Sequence, residues 1–317
     1  MKRCLYCYKE LGDEVGDYHF ACSKVYFGKP VAPEFSYVEK DLPELGLQVI
    51  RSHYAVTGVQ PKISLSLQKG ENKDAPMRLT IVGFDSKYIL KPQTDLYPHL
   101  PEVEDLSMHL AAIAGISTVP HTLIRTKSNN LAYITTRIDR LKKARIHMED
   151  MCQLTERLTE HKYHGSHEQI GKTISKYSQN PGLDLVNFYE QVLFSFLIGN
   201  ADMHLKNFSL LADPDLGYTL APAYDLVSTA LVLPSDTEDL ALTLNGKKKK
   251  LRLSDFMKAM TSNGIPEKAQ RNIVDKMEAA VPEIIQFIDY GFLPKTMKEL
   301  FQKIISDRAH RLYFKKV

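Results

Sequence analysis

No apolar run in this 317-residue sequence approaches the ~18 residues a membrane span requires; the longest, Val192 to Ile198, is interrupted by Ser195. Cysteine is scarce, four in all, which argues against a secreted disulfide framework. Charge of one sign is lacking too. Forty-one Lys and Arg stand against 38 Asp and Glu, a net +3, which gives a whole-chain polyanion-binding role little support. The N-terminus, Met-Lys-Arg-Cys-Leu-Tyr-Cys, has no apolar signal-peptide core, so a cytosolic protein that does not engage membranes is expected. Internal repeats and low-complexity tracts are absent. What remains is ordinary globular composition, 44% apolar and 25% charged. The length predicts about two domains and a core that needs no staples.

The few cysteines are unevenly placed. Cys4, Cys7 and Cys22 fall within the first 22 residues and Cys152 stands alone. Cys4-x-x-Cys7 and His19-x-x-Cys22, eleven residues apart, make two ligand pairs of the kind that close a tetrahedral zinc site. The same residues also suit reduced thiols packed as small hydrophobes in an N-terminal hairpin. No βαβ unit surrounds the pair, which argues against a CxxC redox motif.

Residues 1–30 form this Cys/His unit, and Lys29-Pro30-Val31-Ala32-Pro33 opens an extended connector, because proline blocks helix. Period-two alternation predicts a strand from Ile63 to Leu67, with further strands at Met77–Val82, Lys87–Lys91, Thr118–Arg125 and Leu131–Arg137. Between Glu102 and Ile116 the apolar residues recur at helical spacing, and Gly115 fits the stop. After Met148 the chain becomes mainly helical, with helices expected at Leu185–Ile198, Ser254–Met260, Glu267–Ile288 and Thr296–Tyr313. Two exceptions are expected. Ala241–Leu253 reads as a hairpin turning at Asn245-Gly246, with Lys247 to Lys250 as a solvated edge. Thr155–Pro181, with His161, His164 and His167, reads as an exposed polar segment.

The chemistry concentrates in Gly199-Asn200-Ala201-Asp202-Met203-His204-Leu205-Lys206-Asn207, followed by Pro222-Ala223-Tyr224-Asp225. Phosphoryl transfer needs a carboxylate at the acceptor hydroxyl and oxygen ligands that hold Mg²⁺ against nucleotide phosphates. Asp-x-x-x-x-Asn with a later Asp supplies both at kinase spacing, making Asp202 the base and Asn207 and Asp225 the metal ligands. His204 and Lys206 line the same loop. Upstream, Tyr88-Ile89-Leu90-Lys91 ends a strand in the kind of lysine that contacts phosphates, and Glu104 lies 13 residues on, able to pair with it. Thr57-Gly58-Val59-Gln60-Pro61-Lys62 is a turn able to lie over phosphates with its N–H groups. The order of loop, Lys, Glu, Asp, Asn and Asp is that of a two-lobed phosphotransferase.

Together TGVQPK, YILKP, the helix bearing Glu104, TTRIDR, MEDMCQ, GNADMHLKNFSLL and LAPAYDLVS resemble the HipA-like protein kinases of bacterial toxin–antitoxin modules, from about Val49 to the C-terminus. The resemblance implies an α+β kinase-like fold, with a mixed β/α N-lobe at 1–136 and a mainly helical C-lobe at 137–317. It implies ATP and Mg²⁺ as cofactors and Asp202 as proton acceptor. By the same resemblance Thr57, Gly58, Val59, Gln60, Pro61, Lys62 and Lys91 contact phosphates, and Thr136, Arg137 and Ile138 form the hinge at the adenine. His204, Leu205, Lys206, Asn207 and Tyr224 complete the nucleotide site, with Gln153 as a further contact. The family autophosphorylates a serine where this chain has Ala55, two residues before Thr57. Thr57 is therefore the expected autophosphorylation site, with Ser52 and Tyr54 as alternates. The short region ahead of the loop is similar to the compact HipT-type form. Implied partners are a protein substrate such as an aminoacyl-tRNA synthetase, a helix-turn-helix antitoxin that alone contacts DNA, and a small HipS-like protein. Two other readings share part of this pattern: a small-molecule phosphotransferase, and a catalytically silent nucleotide-binding partner of an antitoxin.

Overall fold

The computed structural model describes residues 2–14, 16–38, 40–42, 62–69, 76–82, 86–141, 144–213, 215 and 217–315. The chain divides into two compact units, Met1–Asp105 with Val119–Lys143, and Leu106–Thr118 with Ala144–Val317. No described helix is long and apolar enough to cross a membrane.

The first unit is built on an antiparallel sheet of β1 (Ile63–Gln68), β2 (Arg78–Ile81), β3 (Tyr88–Lys91), β4 (His121–Arg125) and β5 (Leu131–Thr136), in the order β2-β1-β3-β5-β4. Alternation sets its faces: Ile63 and Leu65 of β1 and Tyr88 and Leu90 of β3 are buried. Across the ladder Tyr88 lies opposite Thr136 and Lys91 opposite Tyr133. Helix α1 (Phe20–Phe27) stops at Gly28, whose φ of 81° a side chain would resist. Helix α2 (Leu100–Ile113) starts in this unit, where Val103 is buried, and from Leu106 onward belongs to the second, where Leu106 and Leu110 are buried. It ends in a Schellman arrangement: Gly115, at φ 73°, donates its N–H to Ala112, and Ile116 donates to Ala111.

The second unit holds α3 (Met151–Leu154), α4 (His167–Tyr177), α5 (Pro181–Ile198), α6 (Leu253–Ser262), α7 (Glu267–Phe287) and α8 (Lys295–Arg311). A small antiparallel sheet joins β6 (Met148–Asp150), β7 (Ser209–Asp213) and β8 (Gly217–Leu220) in the order β8-β7-β6. Helix α5 is the centre of the unit, as an all-round apolar helix must be. Pro181 opens it, and Phe188, Phe194 and Phe196 are wholly buried, each contributing about 1.5–3 kcal/mol.

Three expectations are corrected. The strand expected from Thr118 begins at His121, because Pro120 has no N–H to give a ladder and Thr118 instead bridges Ala223. The expected hairpin at Ala241–Leu253 is reduced to one bridge, Leu244 with Lys247, around Asn245 (φ 50°) and Gly246 (φ 73°). The turn has the two positive φ values of type I′, but no strands extend from it. Its lysines engage separate partners, Lys247 on Asp255 at 2.8 Å and Lys249 on the Thr237 hydroxyl at 2.6 Å, so they do not guard a sheet edge. Finally, the segment expected to be exposed contains α4, capped by Ser166 on the Gln169 N–H, with Ile170, Ile174 and His167 buried. Of its three histidines, His161 and His164 are exposed, as expected.

Candidate active site

In the first unit the end of β3 places Lys91 in the protein interior, 4% exposed, and the first turns of α2 place Glu104 there at 0%. The two meet, Lys91 Nζ to Glu104 Oε1, at 2.5 Å. The ammonium also lies 5.4 Å from the centre of the Tyr133 ring. A desolvated ion pair of this kind is held by the fit of its surroundings and not by its own attraction. Next along α2, buried Asp105 accepts from the Tyr8 hydroxyl and pairs with His121 Nδ1, both at 2.7 Å. Thr136 ends β5; Arg137 donates its N–H to the Lys87 carbonyl at 2.9 Å and forks its guanidinium onto Asp139. Ile138 follows, part-buried, and Lys62 is exposed. The remaining predicted phosphate-loop positions, Thr57, Gly58, Val59, Gln60 and Pro61, lie outside the described residues, as do Ser52 and Tyr54.

In the second unit α5 ends at Gly199, φ 73°, which turns the chain into the Asn200–Asn207 loop. Asn200 is fully buried and its side-chain oxygen accepts the Asp202 N–H at 3.0 Å. The Thr229 hydroxyl accepts from the Ala201 N–H and donates to the Gly199 carbonyl, tying the loop at its root. The Asp202 carboxylate projects to the exterior and accepts the hydroxyl of Tyr163 at 2.5 Å. Asn207 is buried, and its amide nitrogen is spent inward on the Asp202 carbonyl at 3.3 Å. That leaves its carbonyl oxygen as the end able to meet a cation.

His204 sits beneath these groups. Burial pushes its pKa down to about 4, although Asp202 and Asp225 both pull it upward, so both carboxylates lie close enough to act on the ring. It is therefore neutral at pH 7, edge-on to Tyr163 with 5.0 Å between ring centres. Leu205 is buried, anchoring the short 3₁₀ turn Leu205–Asn207. The Tyr224 hydroxyl lies 2.5 Å from Ser209 Oγ and donates to the Lys206 carbonyl at 3.1 Å, clasping the loop from the other side. Asp225 follows at φ 56°, a left-handed conformation that Asp tolerates better than most residues. Buried Ala223, whose N–H meets the Ser117 carbonyl, and buried Leu226 hold it from both sides.

Lys206, expected to face phosphate, pairs here with Asp150 at 2.5 Å. Asp150 also caps α3 in a reciprocal box with Gln153, each side chain bound to the other's backbone N–H. Gln153 is thus engaged in helix capping. Tyr163 and Asp150 escaped the sequence reading. The Asp-x-x-Gln capping signature could have revealed Asp150, whereas nothing around Tyr163 marks it.

Comparison with known proteins addresses the family and the fold. The family model described as the HipA-like C-terminal domain matches residues 54–285. A Sinorhizobium fredii protein named "Putative kinase Y4mE" is 31% identical over 272 residues, which are 80% of this chain and 62% of that protein. Among solved structures, HipA of Shewanella oneidensis, determined with HipB and operator DNA, superposes with a TM-score of 0.66 at 22% identity, over 82% of this chain and 65% of that one. The proinflammatory kinase CtkA of Helicobacter pylori gives a TM-score of 0.56 at 16% identity, over 79% of this chain and 93% of that one. The fold is the kinase-like fold, and the chain spans less than two thirds of the length of Y4mE or HipA.

Proposed function

The chain belongs to the HipA-like family, and on that premise we propose that it is an ATP- and Mg²⁺-dependent serine/threonine protein kinase acting as the toxin of a toxin–antitoxin module. The observation that carries this reading is the exposed Asp202 carboxylate, which already receives a hydroxyl, that of Tyr163, at 2.5 Å. An acceptor serine or threonine would present the same group to the same oxygen. Its oxygen would form the new bond to the γ-phosphorus as the bond to the β-phosphate breaks, and its proton would pass to Asp202. Positioning dominates such a reaction, and the ties around Asn200, Thr229 and Tyr224 hold the loop in place beforehand.

The donor set suits a hard cation. Asn207 offers an amide oxygen whose nitrogen is turned inward, and Asp225 a carboxylate. Bound there, Mg²⁺ would neutralise charge on the phosphates. Lys91, oriented by Glu104, is assigned to the same phosphates, as are Lys62 and the loop from Thr57. Thr136, Arg137 and Ile138 are assigned to the adenine, with His204, Leu205, Lys206 and Tyr224 completing the nucleotide site. Thr57 is the proposed autophosphorylation site. The target is a translation component such as an aminoacyl-tRNA synthetase, the protein is cytoplasmic, and a DNA-binding antitoxin with a small HipS-like companion restrains it. HipA of S. oneidensis, solved with HipB and operator DNA, supports the antitoxin part of this reading.

The test is growth on induction of the chain or of Asp202→Asn, followed by phosphoproteomics and by transfer assays with labelled ATP, with and without Mg²⁺. Arrest by the wild type alone, with new phosphoserine or phosphothreonine, is expected. Equal arrest by both forms, or transfer to sugars or amines but to no polypeptide, would overturn it.

A further inference from the structure

We propose that Cys4, Cys7, His19 and Cys22 form a structural zinc site, and that the knuckle it closes braces the sheet carrying Lys91. The inference stands on the first unit alone and does not depend on the kinase reading.

The four side chains converge. One ligand atom from each, three Sγ and one Nδ1, lies within 4.8 Å of every other. His19 Nδ1 is 3.4 Å from Cys7 Sγ and 3.7 Å from Cys22 Sγ. A tetrahedral ion with bonds of about 2.3 Å to sulfur and about 2.0–2.1 Å to nitrogen puts such atoms about 3.5 Å apart. The imidazole is set for coordination, because its Nε2 lies 2.9 Å from the Glu10 carbonyl, an acceptor only. Nε2 therefore carries the hydrogen, and the Nδ1 lone pair points into the sulfur cluster. The His19 backbone N–H is directed at Cys4 Sγ, 3.4 Å away. All four cysteines of the chain are free thiols. Simple hydrophobic packing accounts for buried Cys4 but not for Cys7 and Cys22, which are part-exposed and gather round an imidazole nitrogen.

Backbone pairing within the described residues of this segment is sparse. From Arg3 to His19 it contains one isolated bridge, Arg3 with Glu10, and a few turn bonds such as Cys4 N–H to the Lys9 carbonyl. Tyr8 sits at φ 64°, a conformation non-glycine residues adopt only when held.

What the ion would hold reaches the sheet. The Tyr18 hydroxyl donates to the Leu123 carbonyl, the Tyr26 hydroxyl to the Ile134 carbonyl at 2.9 Å, and Thr122 donates back to the Leu5 carbonyl at 3.0 Å. Tyr26 and Phe27 pack on Tyr88, three residues before Lys91 in β3. Tyr8 bonds Asp105, the neighbour of Glu104. Every one of these contacts departs from the knuckle or from α1, which carries Cys22.

The full chain, produced in zinc-supplemented medium and purified without chelator, is expected to hold one zinc ion per molecule by elemental mass spectrometry. Exchange with Co²⁺ is expected to give the visible bands of a tetrahedral, thiolate-ligated ion. Cys152→Ser should keep both properties, and Cys7→Ser and Cys22→Ser should lose them. Should those two variants fail to fold, the wild-type stoichiometry and Co²⁺ spectrum decide alone. Zinc that a single chelator wash removes with no change in thermal unfolding, a Co²⁺ spectrum of octahedral type, or a metal-free protein, whether reduced or with two of Cys4, Cys7 and Cys22 joined in a disulfide, would overturn the proposal.

Discussion

Replacing Glu104 by Ala separates what the buried ion pair does for stability from what it does for activity. In the native protein the Lys91 and Glu104 side chains are 5% and 1% exposed, with 2.5 Å between Nζ and Oε1. Removing the carboxylate leaves an ammonium in the interior, and breaking a buried pair in this way costs about 3–5 kcal/mol. The Tyr133 face, 5.4 Å away, offsets part of that, so the lower end of the range applies. Replacing both partners by apolar residues, as in Lys91→Met with Glu104→Leu, removes both buried charges and should restore most of the loss. Because the chain has two compact units, the assay is native-state amide exchange in β3 and β5, which reports the stability of the first unit by itself. At tenfold per 1.4 kcal/mol, a loss of about 3 kcal/mol speeds exchange of the Leu90 and Ile134 amides by roughly a hundredfold. The double variant should exchange within about tenfold of wild type and yet transfer no phosphate. Single-variant effects that add in the double variant, with a coupling below about 0.5 kcal/mol, would refute the reasoning that the pair is desolvated and coupled.

Asp202→Asn and Asp225→Asn should each abolish phosphoryl transfer without lowering the thermal midpoint, since the proposed function assigns both carboxylates to the reaction; a parallel loss of fold, seen by circular dichroism, would count against the assignment. Tyr163→Phe removes the hydroxyl that now occupies Asp202 Oδ1; hydrogen bonds to charged groups are worth about 1.5–3 kcal/mol, so kcat/KM for the acceptor should rise by roughly tenfold or more, and a fall would show that Tyr163 positions Asp202. His167 is pushed down to about 3 by burial and His204 to about 4, both below the ordinary 6.5. Their unfolded forms therefore bind protons first, so stability is full above pH 6.5 and falls as pH drops towards 4 and then 3, by about 3 kcal/mol for His204 alone. Since neither ring nitrogen of His167 has a hydrogen-bond partner among the described residues, His167→Leu should raise the urea midpoint at pH 7 and flatten this acid decline, and an unchanged decline would sink the argument.

The elements that could be read from the sequence are those in which one physical signal dominates. Alternation in Ile63–Leu67 and the apolar run of α5 are set by burial on one side or on all sides, and both stand within a few residues of where the pattern puts them. Lys91 and Glu104 were legible because a lysine ending a strand and a glutamate 13 residues on in a helix follow the kinase pattern, and the two side chains do pair. Helix α4 was not legible, since its buried face consists of His167, Ile170, Gly171, Thr173 and Ile174, and a histidine read by composition looks like solvent. Burial of that ring, against Phe188 and Phe208, is a decision of packing that no local pattern records. The same holds for the chemistry around the loop. The spacing of Asp202 and Asn207 names the groups, but the atoms that set their behaviour come from distant positions: Tyr163 on the Asp202 carboxylate, Asp150 on Lys206, Tyr224 on the Lys206 carbonyl. Each is a single polar contact between residues far apart in the chain, worth about 1–3 kcal/mol and bearing no period. A motif therefore names which side chains can act, whereas the partners that engage their atoms, Asp150 on Lys206 and Tyr163 on Asp202, exist only once the fold has formed.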